Sequence, residues 1–326
     1  MRARWTVLLA VALAAVTSEV RASEKLVLYT SQPTDQMKAV LDLFKTVAPE
    51  IEVEMFRSGT TEVLNKLAAE FAAGSPRADV LLIADEIAMM QLARDNRLLP
   101  YPEAPVARFP KTFYDPQMRW FGTKVITTGI VYNTNLVKEP PKSWKDLLRP
   151  EAKGRVIMPS PLYSGAAVIH VGTLVEQPEF GWSYFEKLAE AGALSARGNG
   201  AVLDAVAKGE RAYGVLIDYM ALNAKAKGSP VDFVFPMEGV TAVTQPVAIL
   251  ATTKNPRAAK KFVDFQLSEA AQRQAVEQGY IPAMEGIAPP PYFPDPKTIK
   301  LLSVDPAVLL AKDEQNKKRF ADLFGG

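Results

Sequence analysis

The run Lys124-Val-Ile-Thr-Thr-Gly-Ile-Val-Tyr-Asn-Thr-Asn-Leu-Val137 constrains this chain more than any other stretch. It is β-branched and aromatic, is interrupted by Gly129, and closes on polar Asn133, Thr134 and Asn135, so it reads as one long extended segment. Strand-like and helix-like segments alternate on both sides of it. A second β-rich run, Val240-Thr-Ala-Val-Thr-Gln-Pro-Val-Ala-Ile-Leu250, offers a route back. The pattern predicts two α/β units joined by two extended crossings, which can close around a ligand.

Size agrees with two units. A chain of 326 residues exceeds the length at which single cores stop growing, and 48% hydrophobic residues are ample for two. The expected division is 23–127 and 128–249, with 250–326 returning to the first unit. The formal net charge is +2, from 38 Lys and Arg against 36 Asp and Glu. No basic run is long enough for a nucleic-acid surface, so partners must be inferred from sites.

At the N-terminus, Arg2 and Arg4 precede an apolar run from Val7 to Val16, and Val20-Arg-Ala22 offers small or modest residues where signal peptidase reads. A cleavable signal peptide over 1–22 is expected. The apolar run is too short to span a bilayer comfortably and no other long one follows, so stable membrane insertion is not expected. With 0 Cys, lipid attachment at cysteine and disulfides are excluded. An exported, periplasmic protein held together by its cores is the reading that results.

The periodicity from Lys25 predicts a wound α/β order. Strands are expected at 25–30, 51–56 and 78–83, and helices at 35–47, 62–72 and through Met90 and Leu92. After the crossing come a short helix around Trp144, strands at 155–158, 212–217 and 231–235, and helices at 166–175, 180–191, from Arg197 to Gly209 and from Tyr219 to Lys227. One long helix is expected from Asn255 to about Gln278, then a Pro-rich wrap and a final short helix.

In open α/β sheets, ligands bind beyond the carboxyl ends of strands, where helix N-termini offer unpaired N–H groups and a positive dipole end. Four loops there are rich in hydroxyls or glycine: Thr30-Ser31-Gln32, Ser58-Gly59-Thr60-Thr61, Ser164-Gly165 and Gly198-Asn199-Gly200. Any one of them is an ordinary helix cap. Four, divided between two units, are able to converge on one anion. Arg57 and Arg197 stand beside two of these loops and add a charged fork for a carboxylate or phosphate; each also reads as a solvated surface charge. Thr128 on the crossing, Asp85, Asp218 and Tyr219 complete the candidates.

Enzyme readings fare poorly. The one histidine, His170, lies in an apolar helical run and is expected to be packed in a core. There is no cysteine nucleophile, no Ser-His arrangement, no GxGxxG and no P-loop signature. Asp79, Asp85 and Asp218 are single strand-end acids, which more often cap helices than transfer protons. Binding without a cofactor is expected.

The strand Leu26-Val-Leu-Tyr-Thr-Ser31, Arg57-Ser-Gly-Thr-Thr-Glu-Val-Leu64, Ala78-Asp-Val80, the crossing from Gly129, the run Pro159 to Gly165, Gly209-Glu-Arg-Ala-Tyr-Gly214, Asp218-Tyr219 and Gly279-Tyr-Ile-Pro282 resemble the extracellular solute-binding proteins of ABC importers. The nearest branch is the ferric-ion-binding group, with its relatives that bind phosphorylated or phosphonate compounds. The resemblance covers nearly all of the mature chain. It implies a two-lobe α/β fold of the type II periplasmic-binding-protein kind, a monomeric clamp, and an ABC permease and ATPase as partners. The ferric branch commonly takes Fe(III) with two adjacent tyrosines. Tyr219 matches the first, Met220 replaces the second, and Ser31-Gln32 stands where a histidine often helps. A thioether is a soft ligand for a hard ion. A small organic anion is therefore expected, with Asp218 facing an amine on it. The alternatives are Fe(III) as the transported ligand, held by Tyr219 and Asp218 with a bound anion, and presentation of a ligand to a membrane sensor.

Overall fold

Strand β1 (Glu24–Thr30) lies at the centre of the first unit, paired in parallel with β2 (Ile51–Arg57) and β3 (Val80–Leu82). The structure of the protein, a computed structural model, describes residues 24–325, and the expected signal peptide lies outside the described residues. Helices α1 (Thr34–Val47), α2 (Thr60–Ala72) and α3 (Glu86–Arg94) follow the three strands in turn. Period-2 alternation on the strands feeds two cores. Leu26, Leu28, Val80 and Leu82 meet Phe44 on one face, and Tyr29 and Leu81 meet Leu67 and Met89 on the other.

The expected crossing is strand β4 (Phe121–Asn133), thirteen residues, all but one buried. Its later part pairs with β7 (Tyr213–Ile217) and β8 (Val231–Val234), and β7 pairs with β5 (Val156–Pro159), which pairs with β6 (Leu194–Ala196). The return is β9 (Thr241–Ile249). It runs antiparallel to β4 and then to β3, with a register shift between Gly122 and Val125. One continuous sheet thus has the order β2-β1-β3-β9-β4-β7-β5-β6 and belongs to both units, which is why two extended segments suffice to join them.

Helices α4 (Gly165–Val175), α5 (Gly181–Glu190), α6 (Asn199–Ala207) and α7 (Asp218–Ala226) flank the second half of the sheet. Ile130, Met158 and Val215 pack with Trp144 and Phe185 on one face, and Val131, Ile157 and Leu216 pack with Val202 and Phe233 on the other. A further cluster joins Ile87 and Val243 to Ile169 and Ile217, so apolar contact is continuous from one unit to the next.

Gly129 sits where β4 runs against β8 with no room for a side chain. A Cβ there would lie 2.5 Å from the Val234 carbonyl oxygen and 2.6 Å from the Phe233 ring. Gly129→Ala is expected to cost about 1–3 kcal/mol by overpacking. Urea unfolding should show a lower midpoint at unchanged slope.

Three expectations are corrected. The long helix after Asn255 is two, α8 (Pro256–Gln266) and α9 (Glu269–Glu277), because the Ser268 hydroxyl caps the second by accepting from the Ala271 N–H at 3.3 Å. The final helix α10 (Pro306–Phe324) has 19 residues and is not short. The segment 250–326 does not return wholly to the first unit. After α8, α9 and strand β10 (Ile281–Pro282), Phe293 and Phe320 enter the two cores of the second unit, and Lys312 and Arg319 pair with Glu176 and Glu186 there. Burying those rings, Phe293 beside Phe235 and Phe320 beside Phe185, outweighs a shorter path, at roughly 1.5–3 kcal/mol per aromatic side chain.

Candidate ligand-binding cleft

Between the two units lies a cleft of about 560 Å³. Six helix N-termini open onto it. Pro33, Gly59 and Ala84 bring the starts of α1, α2 and α3 from the first unit; Ser164, Gly198 and Ile217 bring those of α4, α6 and α7 from the second. Each helix start carries unpaired N–H groups and a share of positive potential. The Asp85 carboxylate caps α3 by accepting from Ala88 at 3.0 Å, and Ser164 caps α4 by accepting from Ala167 at 3.3 Å. Helices α1, α2 and α6 have no side-chain cap, which leaves first-turn N–H groups for an acceptor in the cleft, although in α2 the Thr61 N–H is directed at the Tyr163 carbonyl.

Of the residues singled out from the sequence, Ser31, Gln32, Arg57, Ser58, Gly59 and Thr60 line the first side, and Ser164, Gly165, Arg197, Asn199 and Tyr219 the second. The other five do not line it. The Thr30 hydroxyl donates to the Leu82 carbonyl at 2.8 Å inside the sheet, and Thr128 is buried in β4 opposite Ile217 and Thr241. Thr61 reaches over the rim to donate to the Pro161 carbonyl at 3.4 Å. Asp85 is spent on its cap. Asp218, expected to face an amine on the ligand, turns into the wall. Its carboxylate accepts from the Thr127 N–H at 2.8 Å, the Thr127 hydroxyl at 2.6 Å and the Tyr219 N–H at 2.6 Å. Both oxygens are engaged, so the expected role for Asp218 is corrected: it fixes the wall on which Tyr219 stands. Burial pushes both Asp85 and Asp218 up to about 7.

Sequence reasoning missed four polar lining residues. Glu62 joins its carboxylate to the Ser58 hydroxyl on its own side and to the Arg197 guanidinium on the other, forming an ion pair across the cleft. Those two partners hold its carboxyl below the usual range. The charged lining is therefore Arg57, Arg197 and Glu62, a net positive charge. Tyr163 offers its ring to Arg197 at 5.4 Å, and Gln245 comes from β9. Tyr280 stacks on Tyr219 with centroids 4.2 Å apart, supplying a second phenol from 61 residues further along the chain. Its signal was Gly279-Tyr-Ile-Pro282, present among the family-like phrases but not read as part of a site. Burial pushes the Tyr219 phenol up to about 12 and the Tyr280 phenol well above its ordinary value. Among the described residues, no group of three or more His, Cys, Asp or Glu side chains is placed to hold a metal ion.

The units touch across the opening. The Thr61 N–H donates to the Tyr163 carbonyl at 3.5 Å, and Gly165 is so close that a Cβ would lie 2.3 Å from the Ala84 carbonyl oxygen. His170 is away from this cleft, buried with Nδ1 3.2 Å from the Thr241 hydroxyl and its ring on Trp144; burial pushes it down to about 3.

Fold and cleft together define the type II periplasmic-binding-protein fold: one sheet shared by two α/β units, with helix N-termini converging between them. Residues 75–307 match the bacterial extracellular solute-binding protein family, and the chain belongs to that family. An uncharacterized protein of Haemophilus influenzae is 28% identical over 321 residues, covering 92% of this chain and 90% of that one. The periplasmic binding protein AfuA of Actinobacillus pleuropneumoniae, solved with exogenous fructose 6-phosphate bound, superposes with a TM-score of 0.84 at 22% identity, over 92% of this chain and 98% of its own. Iron-bound HitA of Pseudomonas aeruginosa gives 0.80 at 23% identity, over 91% and 99%. At these identities the two structures establish the shared fold and leave the ligand open.

Proposed function

We propose that this protein is the periplasmic solute-capturing component of an ABC importer, and that it takes a small organic anion bearing a phosphate, phosphonate or carboxylate group. The observation that carries this reading is the convergence of three uncapped helix starts, α1, α2 and α6, on a cleft whose charged lining is net positive. N–H groups at helix starts suit oxyanions, and Arg57, whose Nε donates to the Gln32 carbonyl at 3.1 Å and Nη2 to the Ser31 carbonyl at 3.4 Å, adds positive charge beside them. The stacked Tyr219 and Tyr280 rings offer an apolar and hydroxylated surface for the organic part. AfuA's bound sugar phosphate lends support by analogy of fold. Capture proceeds by closure of the units about β4 and β9, and release to a permease follows reopening.

Fe(III) is the second reading, and the Tyr219–Tyr280 pair favours it, since two phenols side by side restore the pair that Met220 breaks in sequence. Native mass spectrometry of protein isolated from periplasm separates the two. An organic anion is expected to co-purify; a tyrosinate charge-transfer band with bound iron would overturn the anion reading. Tyr219→Phe sharpens the contrast. With an anion, the variant loses one neutral hydroxyl donor, about 0.5–1.5 kcal/mol, and binding falls severalfold without colour. With Fe(III), the same change removes an ionised ligand and abolishes tight binding.

A further inference from the structure

Lys124 is the fourth residue of the crossing strand β4 and is 3% exposed. Its ammonium donates to the Gln32 side-chain oxygen at 2.9 Å and stands 4.7 Å from the centre of the Tyr280 ring. Among the described residues no carboxylate pairs with it. Gln32 and Tyr280 both line the cleft, so this buried cation is one side chain removed from the ligand on two sides. The contact also sets the orientation of Gln32. With its oxygen held by Lys124, the amide must turn its nitrogen toward Gln278, to which it donates at 3.1 Å.

We propose that Lys124 is a specificity-determining positioning residue, which holds a buried positive charge behind the cleft and is kept protonated by an anion bound in front of it. The inference rests on the organic-anion reading of the same site. An ammonium shielded from water and lacking a counter-ion is costly, and an anion a few ångströms away supplies the missing compensation. Burial pushes Lys124 down to about 7, so in the free protein it loses its proton as pH rises through neutrality. Capture of an anion then takes up a proton.

The elements packed directly against Lys124 present uncharged side chains, and Asp218 in the cleft wall titrates in the same range. Helix α9 presents Gln272, Ala275 and Gln278, the loop before α1 presents Gln32, and β9 presents Thr244 and Gln245. Tyr280 is in contact, Tyr219 lies beyond it, and both phenols are pushed upward. Burial pushes Asp218 in the wall up to about 7, Asp35 lies at the start of α1, and Arg57 ends β2.

The test is calorimetry of full-length mature protein with fructose 6-phosphate, whose own second ionisation is complete by pH 8. Buffers of different ionisation enthalpy report proton uptake. Wild type is expected to take up about 0.5–1 proton at pH 8, and its affinity to fall by up to about tenfold per unit between pH 7 and 9. Lys124→Met should bind more weakly at pH 7 with a flat profile and no uptake, while Asp218→Asn keeps the uptake. Equal uptake in Lys124→Met, or none in wild type, overturns the proposal while the anion reading stands. No binding of this probe, inorganic phosphate or a phosphonate by folded wild type sinks both. Should Lys124→Met fail to fold, wild-type uptake alongside undiminished uptake in Lys124→Gln serves as the overturning result.

Discussion

Gly165→Ala is expected to weaken capture of an anionic ligand by roughly five- to 150-fold while leaving the free protein folded. The added methyl would lie 2.3 Å from the Ala84 carbonyl oxygen, 2.8 Å from the Asp85 Cβ and 2.9 Å from the Thr60 methyl. All three belong to the first unit, whereas Gly165 begins a helix of the second. Overpacking of this kind costs about 1–3 kcal/mol, which is the quoted range in affinity. The clash exists only when the units meet, so opening relieves it. Within the free second unit the change is favourable by up to about 1 kcal/mol, since alanine is the better helix former. Titration with fructose 6-phosphate and small-angle scattering check both halves. Wild type should compact on binding and the variant should remain more expanded at the same ligand concentration. Unaltered affinity and compaction would mean that the units slide past the methyl and that this contact does not govern closure.

Asp218→Ala is expected to be the most destabilising single change near the cleft. It strands the Thr127 N–H, the Thr127 hydroxyl and the Tyr219 N–H, all buried. Each unsatisfied donor costs about 1–3 kcal/mol, so a loss of about 3 kcal/mol or more is expected. Thermal unfolding should fall by several degrees, with binding lost in parallel as Tyr219 loses its footing. Asp218→Asn isolates the charge. The carboxyl has its folded pKa raised to about 7 from 3.8 by burial, so the folded state binds its proton more tightly than the unfolded chain does. That contribution to stability is complete below about pH 4 and is lost as pH rises through 7, at no more than about 1.4 kcal/mol per pH unit. Asp85 behaves in the same direction. Denaturation between pH 4 and 8 should therefore show stability falling with pH, and the slope should be shallower in Asp218→Asn. A slope identical to that of wild type would show that Asp218 stays ionised throughout.

Much of the architecture was legible because it is written in local periodicity. Leu26 and Leu28 alternate against Tyr29, Met37, Val40 and Phe44 recur at helical spacing, and the β-branched run from Lys124 has no helical reading. Loops beyond strand ends are likewise local, and eleven of the sixteen candidate residues line the cleft. Misses share one cause. Asp218 and Thr30 carry the right chemistry at the right strand ends, but the direction of a side chain at a strand end depends on which donors the neighbouring strand supplies. Thr127 on β4 draws Asp218 inward, and the Leu82 carbonyl on β3 does the same for Thr30. The break at Ser268 was a cap signal hidden inside an otherwise helical pattern.

By itself, then, the sequence determined two α/β units, the two extended segments that join them, the loops that face one another, and the burial of His170. These depend on interactions within a few residues of one another, where spacing dictates geometry. Only the tertiary structure decided that Tyr280 stacks on Tyr219, that Glu62 reaches Arg197 over the opening, that Lys124 lies buried behind Gln32, and that the tail crosses to the second unit. Each of these joins residues between 61 and 135 positions apart, as the pairs Tyr219–Tyr280 and Phe185–Phe320 show. Such contacts follow from how the shared sheet sets its strands side by side, an order that no local pattern encodes.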